Sequence, residues 1–128
     1  MEGRRPYISF LRFDGGKRLW YTGQKTERGA GAVAGEILRK HLIFSGLVQG
    51  VGFRWRARQA ARTVGATGWV RNDWNGTVSM ELQGTGEQID WVIRALEQGR
   101  YIRIEDMRAR SIPVEPGERE FVTLDDRW

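Results

Sequence analysis

A chain of 128 residues with 40% hydrophobic and 29% charged side chains has the size and composition of one globular domain. It contains no cysteine and one histidine, His41; this excludes disulfides, thiol nucleophiles and cysteine metal sites, and gives poor support to multi-histidine zinc centres or a Ser-His-Asp triad. The net charge of +5 is confined to the start, because residues 1–40 hold nine Lys and Arg against four Asp and Glu, whereas 41–128 hold twelve of each sign with no Lys.

Residues 1–38 read as a basic, Gly-rich N-terminal extension, and 39–128 as the domain proper. Tyr7 to Phe13 and Lys17 to Thr22, flanking Asp14-Gly15-Gly16, have the pattern of a hairpin over 7–22. A lone hairpin is marginal in water, so this one either docks on the domain or belongs to a mobile tail. The small residues of 23–38 read as a flexible linker. No apolar run is long enough to span a membrane, and no apolar segment follows the basic residues near the start. No membrane association and a cytoplasmic location are therefore the expectations.

The domain opens with a strand over 41–48. Residues 49–52 form a glycine-spaced loop, and a helix follows with Phe53, Ala57, Ala60, Ala61 and Val64 on one apolar stripe. Gly65 ends that helix. A short strand over 68–72 leads into a turn, Asp73-Trp74-Asn75-Gly76, whose Asn-Gly pair is a hairpin signal. Val78, Met80 and Leu82 then alternate along a strand. Thr85 and Gln88 have capping-box spacing ahead of a second helix with Ile89, Val92, Ile93 and Leu96 as its stripe and Gly99 as its stop. Residues 102–112 are extended, and 118–124 form a last strand after Pro116-Gly117. The order β-α-β-β-α-β, plus a short last strand, predicts an α+β fold of the ferredoxin-like split βαβ type, with two helices on one face of a mostly antiparallel sheet. Of the tryptophans, Trp69 and Trp91 read as core or half-buried and Trp55 and Trp74 as packed, while Trp20 and Trp128 lie near the ends.

The chemistry is expected at the loop. Gly50 and Gly52 permit backbone angles that let consecutive N–H groups turn toward one point, ahead of a helix N-terminus, which makes an anion cradle. Arg54 adds a permanent charge and a planar fork of donors. Two familiar phosphate motifs fail here: Gly52-Phe53-Arg54 is not the Gly-Lys-Ser/Thr of a Walker loop, and position 55 is Trp where the dinucleotide motif needs glycine. Asn72, at the end of a strand next to a turn, could orient a water molecule or simply cap the hairpin.

Gly46-Leu47-Val48-Gln49-Gly50-Val51-Gly52-Phe53-Arg54 resembles the first motif of the acylphosphatase family. Gly68-Trp69-Val70-Arg71-Asn72, followed by Gly76, Val78 and Gly84, resembles the second at the right spacing. The resemblance covers roughly 40–126, the whole compact domain, and says nothing of 1–38. It implies a ferredoxin-like fold and hydrolysis of acyl phosphates to a carboxylate and inorganic phosphate, without cofactor or metal. It also implies that the backbone N–H groups of Gln49, Gly50, Val51, Gly52, Phe53 and Arg54 hold the phosphate, that Arg54 binds substrate and that Asn72 positions the attacking water.

The alternative is a catalytically silent module that binds acyl or carbamoyl phosphate, as this domain type also occurs inside hydrogenase-maturation carbamoyltransferases. RNA-recognition domains share the plan, but their aromatic run is missing from 77–83 and 102–112 and the domain carries no net charge, so nucleic acid is not expected to bind it. The basic extension could still touch nucleic acid by charge alone. A monomer acting on a small molecule is the expectation.

Overall fold

The strand that enters the loop is also the centre of the sheet. In the computed structural model, which describes residues 35–124 and the backbone of 8–9, 12–14 and 17–19, the elements run β1 (Ile8–Ser9), β2 (Arg12–Asp14), β3 (Lys17–Leu19), β4 (Leu38–Leu47), α1 (Phe53–Val64), β5 (Thr67–Asn72), β6 (Val78–Gly84), α2 (Gly86–Glu97), β7 (Arg103–Ile112) and β8 (Phe121–Thr123). The sheet order is β1-β7-β4-β6-β5-β8. All pairs are antiparallel except β5 with β8. Within it, β4-α1-β5-β6-α2-β7 forms the ferredoxin-like split βαβ.

One face of the sheet is covered by the helices. Leu42 and Phe44 on β4, Val70 on β5, Met80 and Leu82 on β6, and Met107 on β7 alternate onto that face and are fully buried. Phe53, Ala57, Ala60 and Ala61 of α1 and Ile89, Val92, Ile93 and Leu96 of α2 close over them, and Val64 packs at the margin. The small stripe of α1 lets that helix lie close to β5 and to α2. The capping box of α2 is complete: Gln88 N donates to Thr85 Oγ1 at 3.1 Å, and Thr85 N donates to Gln88 Oε1 at 2.8 Å. That helix stops earlier than its glycine suggested. It ends at Glu97 with Gln98 as its cap, and Gly99 instead leaves room for Ile102 and Arg56, whose atoms a Cβ would meet at 2.6 and 3.0 Å.

Ile8–Ser9 pairs with Ala109 and Arg108 at the free edge of β7, and β2 and β3 pair with one another. Of the linker expected over 23–38, residues 23–34 lie outside the described residues, as do Trp20 and Trp128, and Leu38 already belongs to β4.

The other sheet face is polar. Arg39, only 4% exposed, bridges Glu81 at 3.0 Å and Glu118 at 2.7 Å and donates to Gln83 Oε1 at 3.1 Å. Glu81 also meets His41 Nδ1 at 2.7 Å. Burial by itself raises the Glu81 carboxyl, but hydrogen bonds from His41 and Arg39, with their charge, outweigh it and hold the group below the ordinary carboxylate range. A carboxylate held low in the folded state contributes stability above its unfolded pKa, and that contribution is lost as pH falls through the folded value. Glu81→Gln is therefore expected to destabilise the protein near neutrality and to shrink the drop in urea midpoint between about pH 7 and about pH 3.

Candidate active site

Three apolar anchors shape the loop. Val48, at 1% exposure, and Phe53, at 2%, are buried at its two ends, and Val51 packs against the core between them. Phe53 rests on Phe44 with ring centroids 5.0 Å apart. Burying 48, 51 and 53 turns positions 50 and 52 outward, and both are glycine with positive φ, 76° and 82°. A Cβ at either would meet nothing within 4 Å, so the requirement there is backbone conformation and an uncovered surface. Gly52 is the N-cap of α1. The first intrahelical bond is Arg56 N to Gly52 O at 3.0 Å, which leaves the N–H groups of residues 53–55 without acceptors inside the helix. No side chain caps this end, and no acidic residue lies in the first turn. An uncapped N-terminus with no acid in its first turn suits an anion, which the helix dipole and the first backbone donors favour. Arg54 is the second residue of α1 and is half-buried.

Asn72 is the last residue of β5, opposite Val78, and is only 7% exposed. It continues the alternation of Gly68 and Val70, so it lies on the helix-covered side. Because β4 and β5 both run antiparallel to β6, the end of β5 and the outgoing loop of β4 lie at the same end of the sheet. The Gln49 side chain joins them: its Nε2 donates to the backbone carbonyls of Asp73 and Thr77, both at 2.8 Å. The turn it grips is held internally by Asp73. Its Oδ2 accepts from Thr77 Oγ1 at 2.8 Å and Ser79 Oγ at 2.6 Å, and its Oδ1 accepts from Arg71 Nε at 3.1 Å. β5 and β6 are therefore joined by the five residues 73–77, with Asn75-Gly76 inside that connection and not as a two-residue turn.

Gln49 was expected to contribute only its backbone N–H; the side-chain tie is what the sequence reading missed. No local signal marks it, because its partners are backbone carbonyls 24 and 28 residues away. Gln49→Ala is expected to lower kcat for an acyl phosphate about tenfold or more and to cost only about 1 kcal/mol of stability, because Asp73 O keeps its bond from Gly76 N and Thr77 O keeps its bond from Asp73 N. Steady-state kinetics beside urea unfolding check both. The packed positions expected for two tryptophans are corrected: Trp55 and Trp74 are 64% and 75% exposed. Trp91 is also more open than expected, at 43%, because it lies off the α2 stripe. No group of three or more metal-ligating side chains comes together among the described residues, and no helix among them is long and apolar enough to cross a membrane.

The family pattern described as Acylphosphatase matches residues 40–123. The chain belongs to the acylphosphatase family. An acylphosphatase from Chlorobaculum tepidum is 39% identical over 87 residues, covering 67% of this chain and 95% of that protein. The crystal structure of acylphosphatase from Bacillus subtilis superposes with a TM-score of 0.63 at 26% identity, covering 68% of this chain and 98% of that one. The structure of an acylphosphatase from Coxiella burnetii gives 0.63 at 29% identity, over 69% and 93%. As a member of the family, the chain is an enzyme that hydrolyses acyl phosphates, and both motifs quoted above fall inside the matched segment.

Proposed function

We propose that the backbone N–H groups of Gln49, Gly50, Val51, Gly52, Phe53 and Arg54 cradle the phosphoryl group, that the Arg54 guanidinium neutralises its charge, and that the Asn72 amide positions the attacking water. The observation that carries this reading is the Gln49 tie, which fixes the loop against the turn next to Asn72. An acyl phosphate is a mixed anhydride with a good leaving group, so catalysis needs positioning and fixed donors more than a strong base. The water oxygen bonds to phosphorus. The bond from phosphorus to the acyl oxygen breaks, and its electron pair stays on the departing carboxylate. Both water protons remain on the phosphate formed. The reaction requires no metal or cofactor.

Residues 39–128 form the catalytic domain in this assignment, and 1–38 form an added extension. The enzyme works as a monomer in the cytoplasm on a small substrate, and the domain has no nucleic-acid partner. Hydrolysis in ¹⁸O-water tests the chemical core: the label is expected in phosphate, and label in the carboxylate would overturn attack at phosphorus.

A further inference from the structure

A cleft of about 520 Å³ opens beside the loop, its lining including Gly50 and Val51 of the loop together with Leu47, Arg100, Tyr101 and Arg103. Its place in the fold gives it meaning. In the order β7-β4-β6-β5, β5 carries Asn72 on one side of β4, and β7, which begins at Arg103, lies on the other. Attacking and leaving oxygens stand roughly in line through phosphorus. With water held from the β5 side, the carboxylate must leave toward the β7 side, where the cleft is.

We propose that this cleft is the acyl subsite and that it favours acyl phosphates whose acyl chain ends in a second anionic group. The inference rests on the assignment of Asn72 to the water. Leu47 and Tyr101, 53% and 66% exposed, give apolar surface for the methylenes of such a chain. Arg103 sits in register with Leu47 across the β4–β7 pair. The Arg100 guanidinium lies 5.7 Å from the centroid of the Tyr101 ring, stacked over it, an arrangement that holds the planar fork at the cleft wall. None of the described residues lining the cleft is acidic, so a terminal carboxylate or phosphonate meets two permanent cations and no opposing charge.

The test compares succinyl phosphate with butanoyl phosphate, which has the same chain length and an uncharged end. 3-Phosphonopropanoyl phosphate serves as a third probe. For the intact chain, kcat/KM is expected to favour succinyl over butanoyl phosphate by about tenfold or more, ~1.4 kcal/mol. In the doubly substituted Arg100→Gln, Arg103→Gln protein the ratio should fall to near one, and Arg103→Glu should push it below that of the double variant. Both positions are exposed, so the variants retain the fold. An equal gain for the phosphonate assigns the subsite to terminal anions in general, whereas a gain for succinyl alone assigns it to carboxylates. A ratio near one in the intact chain, or the same ratio in intact and double-variant proteins, overturns the proposal while leaving the catalytic reading standing. No turnover of any of the three overturns the catalytic reading and this proposal with it.

Discussion

Arg54→Gln is expected to lower kcat/KM for benzoyl phosphate by at least about 10³, or ~4 kcal/mol, in a protein that unfolds at nearly the same urea concentration. The size follows from what is removed. A well-aimed donor to a developing anion is worth roughly 3–4 kcal/mol, and glutamine deletes the charge as well. Arg54 also sits where the helix contributes: it is the second residue of α1, behind a glycine N-cap that no side chain occupies and ahead of a first turn without acidic residues. Its loss leaves the backbone donors in place, so residual activity above the uncatalysed rate is expected. Arg54→Lys separates charge from geometry, because an ammonium keeps the positive charge and loses the planar fork; it should recover part of the deficit and little of the affinity for inorganic phosphate. Full activity in Arg54→Gln would remove this residue from the mechanism.

Asn72→Ala is expected to lower kcat by about 10²–10³ while changing the inhibition constant for inorganic phosphate little. The contrast with Arg54 is the informative part. A group that only places water acts on the chemical step, whereas a group that holds the phosphoryl oxygens acts on binding and chemistry together. Asn72→Asp should be worse than alanine in KM, because an ionised carboxylate facing the phosphate site repels a dianion. Asn72 is nearly buried at the end of β5, so each variant needs its unfolding curve recorded beside its kinetics. If Asn72→Ala lost phosphate binding as completely as Arg54→Gln, the division of labour between the two residues would be wrong.

Much of the fold was legible because its signals are local. The Phe53-Ala57-Ala60-Ala61 and Ile89-Val92-Ile93-Leu96 stripes each lie within one helix and need only the 3.6-residue period. The Thr85–Gln88 box closes over three residues. Gly65 does cap α1 in the left-handed region, with φ of 80°. Gly99 misled for an equally local reason: glycine marks a cap only when the chain needs positive φ, and here the missing Cβ serves packing against Ile102 and Arg56. The tryptophans were misjudged because size alone does not decide burial. Trp55 and Trp74 fall on a helix face and a turn that the core does not reach.

What the sequence could not carry is long-range. The parallel pairing of β8 with β5 joins Gly68 to Phe121, 53 positions along the chain. Arg39 looks like one more basic residue of the first third, yet it is buried because Glu81 and Glu118, 42 and 79 positions away, enclose its guanidinium. Arg54 and Asn72 stood out through their motifs. The means by which their segments are held together, Gln49 reaching 24 and 28 residues along the chain to two carbonyls, has no sequence signature. It is a tertiary contact from a side-chain amide to backbone carbonyls that any residue type would supply.

The measurement that bears most directly on the central claim is hydrolysis of benzoyl phosphate by the intact chain with a strong chelator present, beside Arg54→Gln and Asn72→Ala proteins of verified fold. The account predicts turnover that the chelator does not reduce, and near-complete loss of it in both variants. A folded intact chain that binds inorganic phosphate but turns over no acyl phosphate would contradict it.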